Sequence, residues 1–161
     1  MPQDDAEALR RFRWAAKQGF ADAQNNLGGM YLDGRGVPQD DAEAVRWFRQ
    51  AAEQGYAGAQ FNLGFMYSKG RGVPQDDAEA VRWFRQAAEQ GNAGAQFSLG
   101  VMYGQGLGVP QDYVQAHMWV NLAAAQGNEQ AQKTRDRLPE QMTPAQVAEA
   151  QRLAREWKPK Q

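Results

Sequence analysis

A chain of 161 residues with 18 Lys and Arg against 19 Asp and Glu carries a formal charge of −1, which gives no bulk attraction for nucleic acid or an anionic membrane. Its length allows one compact domain or one short rod of stacked repeats, burying roughly 70% of the unfolded surface. The chain has no cysteine, which excludes a disulfide framework, a thiolate metal site and a cysteine nucleophile; no apolar run approaches the roughly 20 residues needed to span a bilayer.

The opening Met1-Pro2-Gln3-Asp4-Asp5 has neither the basic nor the apolar region of a secretory signal. No leader is expected in this chain, and a longer parent leaves periplasm and cytoplasm both open. Isoleucine is absent while Ala, Gln, Arg and Glu are plentiful, a balance that favours helix over sheet. From Pro2 onward the chain repeats itself every 36 residues: Pro2, Pro38, Pro74 and Pro110 are equally spaced, and the last three follow Val37, Val73 and Val109. This gives repeat units at 2–37, 38–73 and 74–109, a divergent last unit at 110–137, and one repeat domain over 1–161.

Each unit reads as two helices. The first starts after the proline, where Asp40, Asp41 and Glu43 set negative charge at the positive end of the helix dipole. Ala44, Val45, Phe48, Ala51 and Ala52 recur at helical spacing, and Gly55 ends the helix. The second helix is predicted over about Ala57 to Lys69, with Ala59, Leu63, Met66 and Tyr67 on one side. Gly70-Arg71-Gly72-Val73-Pro74 then breaks the chain. A pair this short cannot bury its apolar side alone and must stack on its neighbours. After Gly127 the pattern departs: Asn128 to about Arg137 reads as a shortened second helix, and Thr143-Pro144-Ala145-Gln146 as a capping box. The helix it opens, 143–158, is expected to cap the last repeat through Val147, Ala150, Leu153, Ala154 and Trp157. At the other end Arg11 stands where Trp47, Trp83 and Trp119 recur, as expected of a first helix without a predecessor, although Trp14 replaces Gln50 and Gln86.

Ala59, Leu63-Gly64, Tyr67, Gly70-x-Gly72-Val73, then Ala44/Ala80, Trp47/Trp83, Ala51-Ala52 and Gly55, recurring in register over about Asp5 to Gly127, resemble the Sel-one-like repeat family, relatives of tetratricopeptide repeats. The resemblance implies an all-α, right-handed superhelical α/α solenoid of helix-turn-helix repeats, here about nine helices, and adaptor or scaffold roles. Cysteine-rich relatives have suggested β-lactamase or penicillin-binding activity, a third reading from which this cysteine-free chain departs.

Comparing the copies separates two kinds of position on the second helix. Ala57, Ala59, Gln60, Leu63, Gly64, Met66 and Tyr67 do not change; Asp22/Gly58/Gly94, Asn25/Phe61/Phe97, Asn26/Asn62/Ser98, Gly29/Phe65/Val101, Leu32/Ser68/Gly104 and Asp33/Lys69/Gln105 do. Offsets of three, four and seven put most of the changing set on one stripe. Packing that recurs in every unit tolerates little change, whereas a surface facing a partner need not repeat. The stripe matches the face that lines the concave surface of tetratricopeptide arrays, as the resemblance implies. The candidate partner-binding residues are therefore Asn25, Asn26, Gly29, Phe61, Asn62, Phe65, Lys69, Phe97, Ser98 and Val101, with the phenylalanines gripping a peptide and Asn26 and Asn62 bonding its backbone. The other reading of the phenylalanines is that they fill gaps between helices.

Other signals read as structural. Arg10/Arg13, Arg46/Arg49 and Arg82/Arg85 recur as a row, but Glu43 and Glu53 flank Arg46 and Arg49 for pairing, so no nucleic acid partner is expected. Gly34-x-Gly36 follows a helix rather than a strand and is a turn, not a phosphate loop. His117, the one histidine, sits in the register of Val45 and Val81 as a packing substitution. The hydroxyls Ser68, Ser98, Thr134 and Thr143 lack a Ser-x-x-Lys arrangement. The expected function is a protein or peptide binder without cofactor, metal, membrane insertion or catalysis; a structural scaffold that self-associates as a homo-oligomer is the second class.

Overall fold

The computed structural model describes residues 3–161, and Met1 and Pro2, the first proline of the repeat count, lie outside the described residues. Those residues form nine α-helices and no strand: α1 Gln3–Lys17, α2 Ala21–Asp33, α3 Asp41–Glu53, α4 Ala57–Lys69, α5 Asp77–Glu89, α6 Ala93–Gln105, α7 Tyr113–Ala125, α8 Glu129–Arg137 and α9 Pro144–Glu156, with a 3₁₀ turn at Leu138–Gln141 before the last. The chain divides into two compact units, Met1–Asp76 and Asp77–Gln161.

The caps follow the sequence. Asp40 and Asp112 accept from the backbone N–H of Glu43 and Gln115 at 3.0 and 3.1 Å, closing the starts of α3 and α7. The second helices end on left-handed glycines, as at Gly70 with φ 63°. Two residues on, Gly72 is also left-handed at φ 69°, and a Cβ there would collide with the backbone carbonyl of Asp41. Only glycine lets the turn press onto the start of α3. Arg71 then forks onto the Asp41 carboxylate at 2.8 and 3.1 Å.

In the first unit Leu9, Ala16, Ala23, Leu27, Met30 and Trp47 make one buried cluster. In the second, Ala116, Val120, Ala123, Ala124, Ala131 and Leu138 make another. Leu27, Leu63 and Leu99, one per second helix, are fully buried, each contributing about 1.5–3 kcal/mol by leaving water. The Leu-Gly pairs have a packing cause: a Cβ on Gly28 would lie 2.7 Å from the Phe48 ring, and one on Gly100 would lie 2.6 Å from a Val120 methyl. The glycine lets α2 approach α3, and α6 approach α7, more closely than any side chain allows.

Gln24, Gln60 and Gln96 are buried, and each donates from Nε2 at 3.2 Å to the carbonyl of Ala16, Ala52 or Ala88, tying a second helix to the end of the first helix before it. In both units the glutamine also accepts from the next first helix, Gln54 to Gln24 at 2.7 Å and Gln126 to Gln96 at 2.8 Å. A buried amide needs these partners, since an unpaired one costs about 1–3 kcal/mol. This explains why a polar residue is unchanged at a core position.

In the second unit α9 begins with a complete capping box between Thr143 and Gln146. It packs on α7, with Ala150 fully buried and the Trp157 ring edge-on to Trp119 at 6.1 Å. In the first unit Arg11 is exposed and pairs with Glu7, and Trp14 is 67% exposed.

Candidate partner-binding site

Of the unchanging positions of α2, α4 and α6, Ala23, Gln24, Leu27, Gly28 and Met30 and their counterparts in the later copies are buried, while Ala57 and Tyr67 and their counterparts are half-buried. No residue of the changing stripe is buried. In the first unit Asn25, Gly29, Phe61, Asn62 and Phe65 are half-buried, and Asn26 and Lys69 are exposed. Asn62 Nδ2 donates to Asn25 Oδ1 at 2.9 Å, which joins α2 and α4 across this face. The pairing ties the Asn62 amide to the neighbouring helix. In the second unit Phe97, Ser98 and Val101 are half-buried on α6, and Phe97 leans on the cluster of α7.

Two residues outside the predicted set belong beside it. Phe20 and Tyr56 are the N-cap residues of α2 and α4 and give no side-chain cap, yet they are 55% and 37% exposed. The Tyr56 ring lies 3.1 Å from the position a Cβ on Gly58 would take, and Asn25 Nδ2 lies 3.8 Å from that same point. Gly58, where α2 has Asp22, thus makes room for the ring at the edge of the stripe. The signal was in the copies: Phe20, Tyr56, Asn92 and Asn128 are one changing position.

The arginine rows are satisfied locally. Arg46 and Arg82 pair with Glu43 and Glu79 at 3.5 and 3.0 Å, and each lies over the tryptophan that follows it. Arg49 does not turn to Glu53; it donates at 2.8 Å to the Tyr67 hydroxyl, as Arg13 does to Tyr31 and Arg85 to Tyr103. The tyrosine lies 18 residues on, on the next helix, where one hydrogen bond and the ring face both suit a guanidinium. This accounts for the unchanging Tyr67.

His117 is 3% exposed on α7 and its Nδ1 has no hydrogen-bond partner. Burial, with the charge of Arg135 second, pushes its pKa below the ordinary histidine value. Among the described residues no three or more His, Asp or Glu side chains gather as a metal site, and no helix is long and apolar enough to cross a membrane.

Short helix pairs, sealed on unchanging positions and joined by glycine turns, define a helix-pair repeat protein. Three consecutive matches to the Sel1 repeat cover residues 21–56, 57–92 and 93–128, and the chain belongs to that family. The family frame opens each repeat at the second helix, with the same length as the frame counted from the prolines. Among solved structures, the chain is similar to a protective antigen of uropathogenic Escherichia coli displaying an SLR fold, with 37% identity and a TM-score of 0.86 over 92% of this chain. The chain spans 32% of the length of that antigen. It is also similar to a Sel1 repeat protein from Oxalobacter formigenes, with 44% identity and a TM-score of 0.72, covering 80% of this chain and 96% of that one. A search of curated proteins gives no match. Sel1-repeat proteins typically mediate protein interactions and are generally non-catalytic.

Proposed function

We propose that this chain is a non-catalytic recognition module that holds a peptide or protein surface against the changing stripe of its second helices. The observation that carries this reading is that every buried position of α2, α4 and α6 repeats, while the changing positions are all half-buried or exposed. In the first unit Phe61 and Phe65 supply apolar contact, Asn26 and Asn62 polar contact to a peptide backbone, and Lys69 a positive charge. Tyr56 extends the surface at the start of α4. In the second unit Val101 and Ser98 contribute, and Phe97 shares its ring between the stripe and α7. Aromatic anchors with adaptable amides beside them are what peptide grooves use.

The test is a pull-down with the chain as bait against the Phe61→Ser/Phe65→Ser variant. The double variant is expected to lose the captured protein while its melting temperature stays within a few degrees. A large fall in melting temperature would assign the rings to the core and remove the proposal. The second reading, a self-associating scaffold, draws on the exposure of Trp14 and Phe20, 67% and 55%. A mass in solution above that of one chain, returning to one chain in Trp14→Ser, supports it.

A further inference from the structure

The segment after α9 does not simply leave the fold. Residues 157–160 are not helical, Trp157 having extended backbone, and they lie along the second unit. The Lys160 backbone N–H donates to the Glu89 carbonyl at 2.7 Å, at the end of α5. The Lys160 ammonium pairs with the Glu89 carboxylate at 2.9 Å. Trp157 stands edge-on to Trp119, and its ring tip lies 3.9 Å from the point a Cβ on Gly91 would take. These are the contacts by which an extended peptide is recognised: a main-chain hydrogen bond, one aromatic anchor and one charged end.

The bed under the segment is built differently from its counterpart in the first unit. Positions 122 and 125 are Leu and Ala, where the same places two repeats earlier hold Gln50 and Glu53. The glutamine beneath is unchanged, Gln96 against Gln24, and so is its bond from the next helix, Gln126 against Gln54. Both of these positions on α7, which line the bed, have become apolar. Nor does the segment fill the bed: a cavity of about 330 Å³ remains, lined by Gly91, Gln96, Leu122, Gln126, Trp157 and Pro159. That volume is at the lower end of the range of ligand sites. The hold is slight, since Lys160 is 71% exposed and surface ion pairs contribute little.

We infer that this bed on α5, α6 and α7 is a second peptide site, for an extended segment with an aromatic residue followed three positions later by lysine, and that residues 157–160 are its resident, exchangeable occupant. An occupant tethered to its own site competes at an effective concentration on the order of millimolar. A free peptide with a Kd on the order of 100 µM would then bind the intact chain about tenfold more weakly than a chain whose own segment is disabled.

The experiment uses the full chain and a fluorescein-labelled peptide of the sequence from Arg155 to Gln161, read by anisotropy. Trp157→Ser/Lys160→Glu is expected to bind the peptide about tenfold more tightly than the unaltered chain. Adding Glu89→Lys to that variant is expected to weaken binding severalfold. Equal binding by the unaltered chain and the double variant, or no effect of Glu89→Lys, overturns the inference. Should the variants fail to fold by circular dichroism, amide exchange in the unaltered chain decides. Excess unlabelled peptide is expected to speed exchange of the Lys160 amide while leaving that of Asp112, bonded to Tyr103 in a turn of the same unit, unchanged; an unchanged Lys160 rate overturns the inference.

Discussion

The two units are made from one repeat but open their second helices in different ways. In Met1–Asp76 the N-cap positions of α2 and α4 are Phe20 and Tyr56, neither of which caps with its side chain. In Asp77–Gln161 the same positions are Asn92 and Asn128, which accept from the N–H of Ala95 and Ala131 at 2.9 Å each. A cap of this kind contributes about 1 kcal/mol. The first unit thus forgoes two such contributions and exposes two aromatic rings, while the second spends the position on its own fold. The repeat framework fixes the buried positions of α2, α4 and α6 in every copy, while the position that opens each of these helices changes.

The largest effect should come from the close approach that both units share. Gly100→Ala would set a methyl 2.6 Å from a Val120 methyl and 3.0 Å from the Ala116 carbonyl, and backbone cannot move aside. Overpacking of this kind costs about 3 kcal/mol, against which alanine regains about 1 kcal/mol of helix propensity. Gly28→Ala meets the Phe48 ring first, with the Ala44 carbonyl at 3.2 Å, so relaxation is easier and the loss should be smaller. Urea denaturation of both variants measures the difference. Equal midpoints would mean that the two contacts are interchangeable and that the units differ only at their caps.

Exchanging the caps is expected to move stability by less and to move binding with it. Phe20→Asn/Tyr56→Asn should raise the stability of the first unit by about 1 kcal/mol per site and weaken partner binding. Asn92→Ala/Asn128→Ala should lower that of the second unit by a similar amount without touching recognition. Amide exchange read unit by unit, beside a binding titration, checks both. Stabilisation with undiminished binding would return Phe20 and Tyr56 to the status of accidental surface residues.

The fold was legible because its signals are local and repeated: the caps Asp40 and Asp112, the left-handed glycines, and the unchanging Leu63, Met66 and Ala59 all act within one unit or on its neighbour. The capping box at Thr143 was legible for the same reason. What one sequence could not show is where a side chain turns when two partners compete. Arg49 has Glu53 one helical turn away but goes to Tyr67, because the pairing across helices is set by packing. Phe97 and Phe61 occupy the same register, and sequence alone could not tell that Phe97 leans on α7. Tyr56 escaped because it precedes its helix, and the stripe was counted along the helix only. The bed under Trp157 was invisible because Leu122 and Ala125 read as ordinary drift of the last repeat until the segment was seen lying on them.

The smallest effect is expected from acid, and it should fall on one unit alone. The single histidine is His117, in the second unit. In the folded state its pKa lies below the ordinary value, first because it is buried and then because of Arg135. Between that lowered value and about 6.5 the unfolded chain holds a proton that the folded one does not. Stability is therefore fully present above about pH 6.5 and declines as pH falls toward the folded value. The slope cannot exceed that of one proton, about 1.4 kcal/mol per pH unit, and just below neutrality it is less. His117→Val restores the residue found at Val45 and Val81, removes the unpartnered Nδ1 and should flatten the dependence between pH 7 and 5.5 in urea melts. The first unit, without a histidine, should show no corresponding change over that range in unit-resolved amide exchange. An acid response that survives His117→Val, or that appears equally in both units, would mean that the carboxylates shared by the repeats govern it, and the contrast between the units would then rest on their helix starts alone.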